Sequence, residues 1–151
     1  MMAAADPTIH ASAVLVGAKA VLIRGPAGSG KSQLAWNLLT AAAQGLLPFA
    51  RLVADDRAYV ESHSGRLLVR PSHALAGMIE IHGLGIRRVE FETLAAVGLV
   101  VDLAAEDATR FPEKKAASAV IATVTLPRLA VAAGMAGLPL VLATLRTPSS
   151  G

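Results

Sequence analysis

At 151 residues and 54% hydrophobic composition, the chain is long enough for one domain that buries roughly 70% of its unfolded surface. It has no cysteine, which excludes a disulfide framework and thiolate metal sites. The net charge of +3 comes from 14 basic and 11 acidic residues scattered along the chain, and only 3% of residues are aromatic, so nucleic acid is not an expected partner. No apolar run reaches the roughly 18 residues of a membrane span, and the first residues lack a secretory pattern, so we expect a cytoplasmic protein.

The first elements form a predicted hairpin. Residues 1–8 are expected to be a disordered N-terminus, and residues 9–16 and 20–24 are predicted strands joined by a turn at Gly17. His10 lies at the start of the first of these strands. The second strand, which is expected to pair with it, leads into the glycine-rich motif at residues 25–32. A role for His10 at that motif stays open beside the simpler interpretation of a polar surface residue.

The central motif has the form G-x-x-x-x-G-K-S between a strand and a helix. Its residues are Gly25, Pro26, Ala27, Gly28, Ser29, Gly30, Lys31 and Ser32. Glycine lets the backbone turn so that consecutive N–H groups point inward, and the following helix adds its positive end. We therefore predict a cradle for the phosphates of ATP, with Lys31 reaching the β- and γ-phosphates and Ser32 holding Mg²⁺. The competing interpretation is an ordinary glycine-rich turn with a solvated lysine.

A helix is predicted from Lys31 to about Ala43, with Gly45 as its stop. Leu34, Leu38 and Ala42 share one stripe, which we expect to pack on the sheet. The indole of Trp36 is interpreted as an anchor between helix and sheet.

Two adjacent carboxylates follow the next predicted strand. Asp55 and Asp56 stand where a magnesium ligand belongs after a P-loop helix, and one could hold the metal while the other accepts a proton. A solvated Asp-Asp turn is the alternative. Asp102, which ends a buried strand at residues 97–102, is a rival metal ligand that we rank lower because it stands alone.

Later segments complete a single predicted domain over residues 1–151. Residues 58–70 are a predicted hairpin, and alternation over residues 78–82 places Glu80 and His82 on one face, as a site wall would require. A polar loop, two strands at 119–124 and 127–131, and a helix at about 137–146 follow.

Three motifs in one order resemble the catalytic domain of the HPr kinase/phosphorylase family over roughly residues 10–128. They are the P-loop, the acidic strand at residues 52–56, and Glu80-Ile81-His82-Gly83-Leu84-Gly85-Ile86. The resemblance implies an α/β P-loop domain of the phosphoenolpyruvate-carboxykinase-like type, with a mixed sheet and flanking helices. It implies ATP- and Mg²⁺-dependent phosphorylation of a serine of the phosphocarrier protein HPr, the reverse attack of inorganic phosphate on phosphoserine, and a homohexamer.

The resemblance also implies roles for individual residues. Asp56 matches the proton acceptor of the kinase direction, and Asp55 lies beside the metal. The catalytic residues it implies are His10, Lys31, Asp56 and Arg110. The magnesium ligands it implies are Ser32, Asp55 and Glu80.

Four departures from the family pattern are visible. Gln33 stands where members commonly carry an acid, and His82 replaces an arginine of the Glu-Ile-Arg-Gly signature. The late loop near residues 131–136 has no arginine, and we expect a short form without the N-terminal regulatory domain. A non-catalytic nucleotide sensor and a small-molecule kinase on the same core are therefore the alternative functions.

Overall fold

The computed structural model describes residues 8–148, which form eleven strands and two α-helices. The strands are β1 (Thr8–Ile9), β2 (Ala11–Val16), β3 (Lys19–Arg24), β4 (Ala50–Ala54), β5 (Ala58–His63), β6 (Arg66–Pro71), β7 (Met78–Ile81), β8 (Gly85–Arg88), β9 (Ala95–Leu103), β10 (Ser118–Ile121) and β11 (Val124–Val131). The helices are α1 (Lys31–Ala43) and α2 (Gly137–Arg146), and 3₁₀ turns lie at His73–Leu75 and Lys114–Ala117.

The main sheet is mixed. Its strands run in the order β1-β5-β6-β9-β3-β2-β4, with β11 also paired to β9 and β10 paired to β11. Strand β9 is parallel to β3 and β11, whereas the remaining pairs of this sheet are antiparallel. Strands β7 and β8 form a separate two-stranded sheet. This architecture confirms the expected α/β fold with a mixed sheet and flanking helices.

The hairpin β2–β3 leads directly to the glycine-rich loop. Val16 pairs with Lys19 across a two-residue turn, in which Gly17 has a φ of 64°. The loop follows Arg24, and α1 begins at Lys31, as the sequence predicted. Gly45, with a φ of 80°, follows the end of α1 in the left-handed conformation that favours glycine.

Two apolar clusters lie on opposite faces of the sheet, because neighbouring strand residues face opposite sides. Val21 and Ile23 belong to the cluster that packs against α1 and α2, whereas Leu22 belongs to the other. Helix α1 buries Leu34, Ala35, Leu38 and Ala41. Trp36 is partly buried against the first cluster, in agreement with its predicted role as a packing anchor.

Several strand boundaries differ from the sequence prediction. The strand predicted over residues 9–16 is interrupted at His10, and the one predicted over residues 127–131 already begins at Val124. The strand predicted over residues 119–124 ends at Ile121, because Ala122 and Thr123 adopt φ values of 47° and 69° and reverse the chain into β11. No glycine marks this turn. Thr8 pairs with Tyr59 instead of being disordered, and residues 1–7 lie outside the described residues. Within residues 8–148, neither helix has the length and apolarity needed to cross a bilayer.

Candidate active site

The loop between β3 and α1 turns on glycines, as the predicted phosphate cradle requires. Gly28 and Gly30 have φ values of 78° and 101°, in the left-handed region that favours glycine. A Cβ on Gly25 would also lie only 3.1 Å from Leu103 Cβ and 3.2 Å from Ser29 Cβ, so the close packing here favours glycine. The Ser29 hydroxyl is buried and has no hydrogen-bond partner in the described chain. An unpartnered polar atom at an N-terminal helix end fits a loop that binds an anion.

Lys31 lies inside this loop. Its side chain is 6% exposed, and Nζ donates hydrogen bonds to the carbonyl oxygens of Gly25 at 2.9 Å and Pro26 at 3.3 Å. Asp56 Oδ1 lies 4.0 Å from the same Nζ. The ammonium group is therefore held between the cradle and a carboxylate.

The buried Asp55 carboxylate accepts hydrogen bonds from three different elements. Its Oδ1 accepts hydrogen bonds from Ser12 Oγ of β2 at 2.8 Å and Ser32 Oγ of α1 at 2.7 Å. Its Oδ2 accepts the backbone N–H of Glu80 in β7 at 2.9 Å. Because the Ser32 hydroxyl donates its proton to Asp55, its oxygen lone pairs remain available to a metal.

Asp56 differs sharply from its neighbour. Its side chain is 63% exposed and its φ is 65°. Its backbone N–H donates to Ser12 Oγ at 3.1 Å, and its carbonyl accepts the Ala11 N–H at 3.2 Å. The backbone is thus fixed by β2 while the carboxylate faces an open cleft.

The cleft has a volume of about 640 Å³ and brings most of the predicted site residues together. Glu80 is exposed while Ile79 beside it is buried, which matches the predicted alternation. Gln33 also faces the cleft and donates to Asn37 Oδ1 at 2.9 Å. The lining residues are Ala27, Gly28, Gly30, Lys31, Ser32, Gln33, Asp56, Glu80 and His82.

Two predicted catalytic residues lie outside the cleft lining. His10 is exposed between β1 and β2, next in sequence to Ala11, whose N–H reaches Asp56. Arg110 lines a separate cavity of about 520 Å³, where its guanidinium carbon lies 5.3 Å from the ring centroid of Phe111. The structure does not bring Arg110 to the P-loop, and both catalytic roles stay predictions.

The oxygen donors fit Mg²⁺ bound together with phosphates. Among residues 8–148 no group of three His, Asp or Glu side chains converges into a metal cage. Magnesium does not need such a cage, since it retains waters and binds one or two carboxylates plus phosphate oxygens. Ser32 supplies a hydroxyl at the cleft, and Glu80 supplies a carboxylate. The buried Asp55 lies behind Ser32 and accepts its hydroxyl proton, and a direct role of Asp55 as a magnesium ligand stays a prediction.

Ser12 is the site residue that sequence reasoning missed. It is fully buried in an otherwise apolar stretch of β2, yet it contacts both aspartates. A serine among alanines and valines gives no local signal of such a position. The contact arises from the pairing of β2 with β4, which is irregular between Ala13 and Val14.

Asp102, the rival metal ligand, is engaged by two arginines. Its carboxylate accepts Arg24 Nε and Nη2 at 2.7 and 2.8 Å and Arg128 Nε at 2.6 Å. Burial alone would raise the pKa of Asp102, but the hydrogen bonds and charges of Arg24 and Arg128 outweigh it and hold the pKa below its ordinary value. Arg128 also binds Asp107, so the network ties β3, β9 and β11 to the loop after β9. Asp102 is thus part of a structural network.

Asp102→Asn is expected to lower the free energy of unfolding by roughly 2 kcal/mol at pH 7, because it leaves two guanidinium groups without their shared carboxylate. A depressed folded-state pKa stabilises the fold above the unfolded pKa, and this contribution disappears as pH falls through the folded value. The difference between wild type and variant should therefore shrink below about pH 4. Urea unfolding of both proteins at several pH values measures this difference in the free energy of unfolding. Asp107→Asn, at an exposed partner of the same arginine, is the matched control with a smaller expected loss.

The fold and the cleft define an α/β protein in which a glycine-rich loop between a strand and a helix lies beside two adjacent aspartates, Asp56 at the cleft and Asp55 buried behind it. Residues 2–123 match the family model of the HPr Serine kinase C-terminal domain. The chain belongs to this family, as the order of its motifs predicted.

Two curated relatives carry the name HPr kinase/phosphorylase. The protein from Clostridium tetani (strain Massachusetts / E88) is 31% identical over 100 residues, which cover 66% of this chain and 30% of the relative. The protein from Clostridium beijerinckii (strain ATCC 51743 / NCIMB 8052) is 33% identical over 98 residues, which cover 65% of this chain and 30% of the relative. The match therefore spans less than a third of the length of either relative.

A solved structure shares the fold. The Hpr(Ser) kinase/phosphatase from Coxiella burnetii superposes with a TM-score of 0.72 and covers 93% of this chain and 88% of its own. The sequences are 22% identical, so this likeness concerns the fold.

Proposed function

We propose that the chain binds Mg-ATP at residues 25–32 and transfers the γ-phosphoryl group to a serine hydroxyl of an HPr-type phosphocarrier protein. One observation carries the proposal: Lys31 Nζ, which belongs to the phosphate cradle, lies 4.0 Å from the Asp56 carboxylate in the cleft. A phosphate-binding cation and a proton acceptor are thereby close enough to act on one phosphoryl group. Membership of the family supports the reaction class.

The protein contributes mainly position and charge to such a transfer. The backbone of the loop and Lys31 would hold the phosphates, and Lys31 would offset the negative charge that develops on the transferred group. Asp56 would accept the serine proton as the serine oxygen forms its bond to phosphorus and the bond to the leaving ADP breaks. Bound Mg²⁺, held by Ser32 and a cleft carboxylate, would neutralise charge on the phosphate oxygens.

The surface beside the cleft favours a protein acceptor over a small metabolite. Ile86 pairs with Glu80 across the β7–β8 hairpin, so their side chains lie on one face of it. Ile86 is 63% exposed, and Leu84 in the connecting turn is 60% exposed. Large apolar side chains at the edge of a catalytic cleft suit contact with another protein.

Replacing both Leu84 and Ile86 by serine is expected to raise the KM for HPr by roughly fivefold to tenfold, which corresponds to about 1 kcal/mol of lost contact. The KM for ATP should stay unchanged, because neither residue lines the cleft. Initial rates at varied HPr and ATP concentrations measure both constants. Val120→Ser is the matched control, since Val120 is 67% exposed on β10, outside the cleft lining. An unchanged KM for HPr would contradict a docking role of the hairpin.

Incubation with γ-labelled ATP, Mg²⁺ and purified HPr tests the proposed function. Label on a serine of HPr supports the kinase. ATP binding without transfer would favour a nucleotide sensor. Gln33 and His82, which depart from the family pattern, suggest this alternative. Turnover with a metabolite but none with HPr would favour a small-molecule kinase.

The reverse reaction, attack of inorganic phosphate on phosphoserine-HPr, is part of the proposal. The late loop lacks an arginine, but Ala132 and Met135 of this loop line the same cavity as Arg110. That cavity is separate from the cleft, so Lys31 is the cation that the proposal places at the phosphate in this direction too. Release of labelled pyrophosphate from phosphoserine-HPr and labelled phosphate measures it. A cytoplasmic location and a homohexameric assembly are proposed on family membership alone.

A further inference from the structure

Ser12 occupies an unusual position for a serine. It is fully buried in β2, where Ala11, Ala13 and Val14 around it are equally buried and apolar. Its hydroxyl donates to Asp55 Oδ1 at 2.8 Å and accepts the backbone N–H of Asp56 at 3.1 Å. A single hydroxyl therefore connects the two adjacent aspartates.

The backbone of Asp56 is held in a conformation that few residues adopt. Its φ of 65° lies in the left-handed region, which aspartate tolerates better than most residues but which a free chain leaves readily. Strand β2 holds Asp56 on both sides, through the N–H bound to Ser12 Oγ and the carbonyl bound to the Ala11 N–H at 3.2 Å. Such a conformation is maintained only where several contacts with the surrounding structure hold it.

The register of the strands brings Ser12 to this point. Ala13 pairs with Ala54, whereas the next residue, Val14, pairs with Leu52, so one residue of β4 is skipped. The chain leaving β4 then turns over β2, and Asp55 and Asp56 meet the hydroxyl from two directions. Loss of this hydroxyl would leave the Asp56 N–H without its partner and remove one of two donors to Asp55 Oδ1.

We propose that Ser12 is a positioning residue that fixes Asp56 with its carboxylate toward Lys31 and orients Asp55 toward Ser32. Ser12 does not line the cleft and acts through the two aspartates. The proposal rests on the proposed function, in which Asp56 accepts the proton of the substrate hydroxyl. A small displacement of a proton acceptor lowers the rate of transfer without removing the phosphate cradle.

Three variants of Ser12 test the role of its hydroxyl, and a fourth variant serves as a control. Ser12→Ala removes it, and the pair Ser12→Thr and Ser12→Val differ from each other only in hydroxyl against methyl. We expect Ser12→Ala and Ser12→Val to lower kcat roughly 10-fold to 100-fold, with the KM for ATP within about threefold of wild type. Ser12→Thr should retain more activity than Ser12→Val. Ser118→Ala, at an exposed serine of β10, is the control for loss of a hydroxyl elsewhere.

Amide hydrogen exchange of Asp56 gives a readout that does not depend on catalysis. In wild type and Ser12→Thr the Asp56 N–H should be protected, whereas in Ser12→Ala and Ser12→Val it should exchange at least about tenfold faster. The amide of Val100, in the buried central strand β9, reports global unfolding and should change less. Unchanged exchange of the Asp56 amide, or an unchanged kcat in Ser12→Ala, would overturn the proposal. Absence of transfer by wild type would refute the proposed function, while amide exchange would still decide whether Ser12 holds Asp56.

Discussion

Asp56→Asn is expected to lower the rate of phosphoryl transfer to HPr by roughly 10²–10⁴-fold, the usual contribution of a positioned proton acceptor. Asparagine has nearly the same shape and also tolerates the left-handed backbone that Asp56 adopts, so the site geometry should survive. Nucleotide affinity should change by less than about threefold, since the loop and Lys31 remain. The free energy of unfolding should be nearly unchanged, because the side chain is 63% exposed.

Transfer rates, a binding titration with ATP, and urea unfolding of the same preparation measure these three quantities. The substitution removes the charge 4.0 Å from Lys31 but keeps the size of the side chain. If transfer and nucleotide affinity fall together, Asp56 has a structural role, and its assignment as proton acceptor is wrong.

Asp55→Asn, unlike Asp56→Asn, should also lower the free energy of unfolding, although the two aspartates are adjacent. The Asp55 carboxylate receives three donors, from Ser12, Ser32 and the Glu80 N–H. An amide group offers only one oxygen, so at least one buried donor would face an N–H₂ group. We expect a loss of roughly 1–3 kcal/mol in the free energy of unfolding.

The same substitution should also weaken transfer by roughly 100-fold, since the charged acceptor that orients the Ser32 hydroxyl becomes a neutral amide. Raising the Mg²⁺ concentration should recover part of this loss in Asp55→Asn and none of it in Asp56→Asn. The two variants serve as controls for each other, because the same change from aspartate to asparagine is made once at a buried and once at an exposed side chain. Equal stability of both variants would show that the three hydrogen bonds to Asp55 do not stabilise the fold.

The sequence predicted the parts of the site that depend on local spacing. The glycine pattern at residues 25–32, the helix that starts at Lys31 and the acidic pair after β4 are all readable along the chain, because the chemistry of phosphates and Mg²⁺ requires these residue types in this order. The alternation that places Glu80 on the cleft side of β7 has the same local origin.

The division of roles between Asp55 and Asp56 was not readable from spacing. A chain that turns at the end of a strand can direct either carboxylate toward the phosphates, and only the packing of β2, α1 and β7 around Asp55 decides which one is buried. Ser12 was missed for the same reason, since its partners are more than forty positions away in sequence.

The role of Asp102 also depends on partners distant in sequence. Arg24 and Arg128, 78 and 26 positions away, meet it where β3, β9 and β11 end side by side. Arg110 lines a cavity together with residues of the late loop and does not line the cleft, so its catalytic role stays a prediction.

A crystal structure with Mg²⁺ and a non-hydrolysable ATP analogue would show where the phosphates lie relative to Lys31 and Asp56. We expect the β- and γ-phosphates to lie on the backbone of residues 25–30 within reach of Lys31, with Ser32 contacting the metal and the Asp56 carboxylate facing the γ-phosphate. A nucleotide bound elsewhere, or an Asp56 carboxylate turned away from the γ-phosphate, would refute the proposed phosphoryl transfer.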